Sequence, residues 1–359
     1  MPEPSLDRVR SLVMTHGWNA TAYQIINPGI QHWFPARGDG VVGYVGFHRV
    51  RVVAGAPVCP HGRLTEIAAE FEDDARDAGS RVCYFGAERR LESILRDSPR
   101  HAMVALGAQP AFDPGAWSAK FARHASLRAQ LNRARNKHVT VAELPAAQAA
   151  DNPALARCLR EWLATRGLPP LHFLVEPETL ARLFDRRVFV AEQNGGVIAF
   201  LVASPVPNRN GWLVEQIVRG RHTPNGTAEL LLDAMMRAAD ALSSEYVTLG
   251  LSPLSTRSGL PLDVNPRWLR WTLGWIRAHG RRFYNFDGLD AFKAKFRPER
   301  WEPVFAIGNE PRFSPVMLYA IAGVFTDGAP IGTGLRTLSK ALARELGLAR
   351  RQSPSIVPP

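Results

Sequence analysis

The sequence predicts an α/β (α+β mixed) fold in which mixed central sheets are flanked by helices. Strand-like apolar runs are interleaved with helix-length amphipathic segments, the same strand–helix–strand succession occurs twice, and 46% hydrophobic residues over 359 positions can fill more than one core.

In the first half, residues 41–48 and 50–58 read as strands ended by Pro60, residues 64–78 as a helix, and residues 81–85 as a strand. Residues 117–138 read as one helix carrying Lys120, Arg123, Arg128, Arg133, Arg135 and Lys137 without an acid. A nucleic-acid footprint and an ordinary solvent-facing helix both fit that pattern. In the second half, residues 188–193 and 197–204 flank Asn194-Gly195-Gly196, a strong hairpin signal. A strand at 212–218, a helix at 228–242 and a strand at 246–250 complete the repeat. The expected divisions are 1–145, 146–310, a helical extension at 311–352 and a flexible tail at 353–359.

A formal charge of +11 and a pI near 10.2 favour anionic partners: RNA, DNA or acidic lipid headgroups. Cys59, Cys83 and Cys158 have neither metal-ligand spacing nor the density of a disulfide scaffold, so a reducing environment is expected. The start Met-Pro-Glu-Pro lacks an apolar signal segment, and the apolar run at 316–325 is too short to span a bilayer. The expected location is cytoplasmic, with peripheral contact at the inner face of an anionic membrane as an extension and no transmembrane span.

Three segments stand out in order: Arg219-Gly-Arg-His-Thr-Pro-Asn-Gly-Thr-Ala-Glu229, Leu249-Gly-Leu-Ser-Pro-Leu-Ser255, and the run from Tyr284 through Phe292-Lys-Ala-Lys-Phe-Arg-Pro298 to Trp301. Together they resemble the phosphatidylglycerol lysyltransferase C-terminal family, also called DUF2156, over nearly the whole chain. The resemblance implies tandem GNAT-like domains and an aminoacyl-tRNA donor, and argues against inheriting acetyl-CoA as a cofactor from the fold. It also implies a lipid acceptor, with a peptide or small molecule as the other acceptors. The enzymatic rival is a coenzyme-A-dependent N-acyltransferase; the non-enzymatic rival is a nucleic-acid-binding module.

Within that frame the expected catalytic residues are Glu229, Asp287 and Arg219, and the expected donor contacts are Asn225, Gly226, Lys293, Lys295, Arg297 and Trp301. Pro224-Asn225-Gly226 opens a helix whose first N–H groups suit a phosphate or an oxyanion, or mark simple helix initiation. Glu229 and Asp233 suit acceptor orientation or proton movement, or a surface salt bridge. If extended, residues 292–296 put Phe292 and Phe296 on one face and Lys293 and Lys295 on the other; a helix would break that separation. Asn27, Trp33 and Phe34 read as an acceptor pocket or, more simply, a packed turn. Trp268, Trp271 and Trp275 recur at helical spacing and are expected to bury one helix face. His222 fits a proton shuttle or a surface residue, Ser252, Ser255 and His222 establish no triad, and His124, His138 and the cysteines define no zinc site. No metal is required, because the ester already carries the activation for transfer.

Overall fold

The computed structural model describes residues 4–165, 171–260, 265–279 and 285–326. Helix α1 (Pro4–His16) precedes β1 (Gln31–Trp33), β2 (Val42–Phe47) and β3 (Val50–Ala54). His48 and Arg49 both take positive φ, at 46° and 56°, in the tight turn joining β2 to β3. Helix α2 (Leu64–Asp77) buries Leu64, Ile67, Ala68, Phe71 and Ala75, an i, i+3, i+4 stripe, and delivers the chain to β4 (Arg81–Ala87), parallel to β3. Helix α3 (Arg89–Leu95) and β5 (Ala102–Phe112) follow. The expected long basic helix is two, α4 (Pro114–Arg123) and α5 (Ala125–Arg135), broken at His124.

The second half repeats the scheme. It contains β6 (Thr140–Leu144), α6 (Ala146–Ala150), α7 (Pro153–Thr165), β7 (Arg187–Gln193), β8 (Gly196–Val206) and β9 (Gly211–Arg219). Asn194 and Gly195, at φ 52° and 75°, make the expected turn between β7 and β8. Helix α8 (Thr227–Ala241) then crosses to β10 (Tyr246–Thr248), parallel to β9. After β11 (Ser252–Pro253) come α9 (Arg267–His279), α10 (Phe286–Ala294), β12 (Arg300–Gly308) and α11 (Pro315–Phe325).

One sheet runs through both halves, in the order β1-β2-β3-β4-β12-β5-β10-β9-β8-β7-β6, with β11 paired to β5. The late strand β12 inserts antiparallel between β4 and β5, while β5 bonds β10 on its other edge. The division at residue 145 therefore stays a proposal about folding units, because the hydrogen-bond ladder crosses it. The expected helical extension beyond residue 326 lies outside the described residues, as does the tail at 353–359.

The halves are also joined by buried charge. Arg186 Nε donates to Glu215 Oε1 at 2.8 Å and its Nη2 to Asn27 Oδ1 at 2.7 Å. Arg209 donates to Glu88 Oε2 at 3.0 Å and to Glu302 Oε1 at 2.6 Å, over the ring of Tyr246. Burial pushes the Glu88 carboxyl up to about 7 against the opposing pull of Arg209.

One open alternative is decided here and one sequence expectation fails. The run around Phe292 is helical, so its rings meet edge to face across an i, i+4 step at 5.2 Å and the two lysines diverge. Of the three α9 tryptophans, Trp268 packs against a core, whereas Trp271 and Trp275 are exposed.

Candidate active site

The parallel pair β9–β10 is registered only at Gly211–Leu213 and Tyr246–Thr248. Beyond Thr248 the chain leaves β9 and crosses to β5 as β11, while β9 continues to Arg219 beside β8. The sheet is thus parted at Gly250, whose φ of 69° suits the turn away. Helix α10 fills this region. Its N-cap is Asn285, whose side chain accepts from Gly288 N at 2.9 Å; a Cβ on Gly288 would lie 2.2 Å from Asn285 Nδ2. Phe296, fully buried against Trp117, anchors the other end.

Lys293 points inward from α10 and donates to the carbonyls of Gly250 and Leu251, both at 2.8 Å. Burial pushes its ammonium down to about 7, only partly offset by Asp290. One turn earlier, Asp290 accepts from Arg257 Nε at 2.6 Å, and Arg257 lies 5.5 Å from the ring centre of Trp301. Asp287, Asp290, Phe286 and residues 253–257 line an open recess of about 300 Å³. Asp290 Oδ1 and Ser252 Oγ are buried without a hydrogen-bond partner among the described residues, so polar capacity remains beside that recess.

Glu229 sits elsewhere. In the first turn of α8 it is buried and accepts from Lys295 Nζ, which stands 4.0 Å from the centre of the Phe292 ring. Asp287 is eight residues before Lys295, about 12 Å along a helix. Glu229 and Asp287 are therefore at opposite ends of α10. Arg219 is exposed at the end of β9, opposite Ala199. Among the other expected donor contacts, Asn225 and Arg297 are exposed, Arg297 at a φ of 51°. Asp233 is buried and holds Trp117 Nε1 and Arg237.

The helix-terminal turn is closed rather than open. A Cβ on Gly226, at φ 97°, would lie 2.0 Å from the carbonyl oxygen of Gln130 in α5. Helix α5 thus packs directly on the start of α8, and Gly226 permits that approach. Gly226→Ala is expected to destabilise the protein by at least about 2 kcal/mol in urea unfolding. Unchanged stability with a raised donor KM would instead make this turn a ligand contact.

Of the basic residues on α4 and α5, Lys120 bonds Glu299 and the Arg297 carbonyl, Arg128 caps the end of α4 through the Phe121 and Ala122 carbonyls, and Arg135 lies 3.7 Å from Asp233. Arg123, Arg133 and Lys137 are exposed. The residues of the expected acceptor pocket take separate partners. Asn27 bonds Phe173 O and Arg186, Trp33 packs on Phe71 under α2, and Phe34 carries Arg8 over its ring.

The three cysteines are buried and free, and among the described residues no cluster of metal-ligating side chains forms and no helix is long and apolar enough to cross a membrane. Sequence reasoning did not single out Asp290, Ser252 or Arg257 as a group; their clustering depends on β11 reaching β5.

The hairpin–helix–parallel-strand unit present twice, with a parted parallel pair in the second copy, defines a tandem GNAT-like fold. The chain belongs to the family described as phosphatidylglycerol lysyltransferase, C-terminal, which it matches over residues 10–308. It is 22% identical over 318 residues to the phosphatidylglycerol lysyltransferase of Bacillus subtilis, covering 88% of this chain and 36% of that protein. It is 23% identical over 251 residues to the lysylphosphatidylglycerol biosynthesis bifunctional protein LysX of Mycolicibacterium gilvum, covering 68% of this chain and 22% of that protein. The chain thus spans about a third or less of the length of these relatives. Among solved structures, a DUF2156 C-terminal domain from Agrobacterium fabrum superposes with a TM-score of 0.74 at 23% identity, covering 90% of this chain and 97% of that one. L-PGS from Bacillus licheniformis gives 0.71 at 18% identity, covering 94% and 96%.

Proposed function

We propose that this protein moves an aminoacyl group from aminoacyl-tRNA to the hydroxyl of a phosphatidylglycerol-type lipid. The observation that carries this reading is the family match, made specific by α5. That helix covers the start of α8, where a coenzyme-A pyrophosphate would need free N–H groups, and its Arg133 is exposed together with Arg123 at the end of α4 and Lys137 just past α5.

The recess between α10 and residues 253–257 suits the aminoacyl end of the donor, with Asp287 and Asp290 placing negative charge near its ammonium group. In the reaction the acceptor oxygen attacks the ester carbonyl, the bond to the ribose oxygen breaks, and the acceptor proton ends on that leaving oxygen. Lys293 is assigned the proton. When neutral, it gives both N–H groups to Gly250 and Leu251 and keeps a lone pair for the attacking hydroxyl. Glu229, locked to Lys295, is assigned to positioning α10 rather than to proton transfer.

Purified protein, separately labelled aminoacyl-tRNAs and phosphatidylglycerol vesicles test the reading: label should enter the solvent-extractable lipid and RNase should abolish it. Transfer from an acyl-CoA without tRNA would replace this reading by the coenzyme-A one. Reversing Arg123, Arg133 and Lys137 together to Glu should weaken tRNA binding about 10–100-fold near 0.1 M salt. Thermal stability should change little, since all three are exposed. Unaltered tRNA affinity would remove α4 and α5 from the donor surface.

A further inference from the structure

Helix α9 is seated on the N-terminal core by one side. At its start, buried Asn265 accepts from Ala105 N at 2.8 Å and donates to Ala105 O at 3.0 Å, tying the helix to β5. Leu269, with Trp268 and Leu273 beside it, reaches the core cluster built by α1, β3 and α11. On the other side Trp271 is 74% exposed and Trp275 is 55% exposed. At ~100° per residue, Arg270, Gly274, Arg267, Trp271 and Trp275 fall within an arc of ~140°, and all five are exposed.

That face joins two indoles one turn apart to two arginines, and α9 contains no acid. Largely exposed indoles on a fixed helix mark a surface that a partner covers. Indole and guanidinium together match the region of a bilayer where apolar chains meet charged headgroups. Single-stranded RNA is the other chemistry that stacks on indoles. The placement argues against it: α4 and α5, which carry the basic surface assigned to tRNA, rest on the core around α8, whereas α9 rests on the separate N-terminal core.

We propose that the exposed face of α9, formed by Trp271, Trp275, Arg267 and Arg270, docks the protein onto the headgroup layer of an anionic bilayer. The inference rests on the lipid-acceptor reading for its purpose, though not for its test. The positive charge draws the protein to the surface and the indoles hold it there.

Vesicle co-sedimentation tests it with the full chain, phosphatidylcholine vesicles, and the same vesicles containing phosphatidylglycerol. Wild type should bind the anionic vesicles, and Trp271→Ser/Trp275→Ser and Arg267→Ser/Arg270→Ser should each lower partitioning at least about tenfold. Both pairs are exposed, so folding should survive; thermal unfolding checks it, and single Trp271→Ser replaces any pair that does not fold. Transfer to a short-chain phosphatidylglycerol kept below its micellar concentration should stay within about twofold of wild type, because uniform loss would mean damage to the recess. Folded variants that sediment like wild type overturn the proposal, and so do variants that lose tRNA affinity instead of vesicle binding. Tryptophan-dependent vesicle binding without transfer to either acceptor would keep the docking face and reject the lipid-acceptor reading.

Discussion

Arg209→Met should lower the unfolding free energy at pH 8 by about 3–5 kcal/mol, the usual result of removing one partner from a buried ionic cluster. Methionine preserves much of the volume over Tyr246 and Trp18, so the loss isolates the charge. Glu88 and Glu302 would then face each other without the guanidinium both now share. The pH dependence carries a definite sign. Glu88 titrates at about 7 in the folded protein against an ordinary 4.5, so folding takes up a proton between those values. Its ionisation opposes the fold fully above pH 7, by about 3 kcal/mol, and that opposition fades as pH falls towards 4.5. Without Arg209 the carboxyl is pushed higher still, and the variant should recover part of its deficit at pH 6. Adding Glu88→Gln and Glu302→Gln should recover more. Urea unfolding at both pH values checks this; a deficit that is small or independent of pH would show that the cluster is not held by its charges.

The same cluster shows where sequence reading stops. Residues 64–78 announce a helix because α2 buries one face at helical period, and residues 188–204 announce a hairpin because Asn194 and Gly195 supply the turn between two apolar runs. Strands β5 and β12 are hidden. Most of β5 and the second half of β12 are buried, giving near-continuous apolar runs interrupted by Gly107, Pro110 and Pro303 rather than an alternation. Missing β12 conceals the continuous sheet, and with it the meeting of Glu88, Arg209, Tyr246 and Glu302 from widely separated positions. Helical spacing correctly groups Trp271 with Trp275, but period says only that two residues share a face; the core position says which way it looks. Likewise Lys293 and Lys295 are indistinguishable in sequence. A helix turns the first into the gap at Gly250 and the second towards Glu229.

That difference makes Lys293 the sharper test. Lys293→Met removes two N–H donors from the Gly250 and Leu251 carbonyls, at about 1–3 kcal/mol for each group left unpaired. It also removes a buried amine that titrates at about 7 instead of 10.5. The unfolded chain takes up that proton below pH 10.5 and the folded protein only below 7, so wild type loses stability as pH falls through this window and stays at the lower level beneath it. Methionine has no such dependence. The variant should therefore be clearly less stable than wild type at pH 9 and gain about 2–3 kcal/mol relative to it by pH 6. Catalysis should rise with pH as well, but over a lower range. If the neutral amine accepts the proton, wild-type kcat rises with pH to a plateau above about 7, while the variant falls at least about 100-fold with donor KM nearly unchanged. Lys293→Arg, which stays charged, should be as inactive as Met. An arginine variant retaining turnover, with stability that follows the buried charge, would leave Lys293 as the pin between α10 and residues 250–251 and hand the proton to Asp290, whose Oδ1 is buried without a hydrogen-bond partner among the described residues.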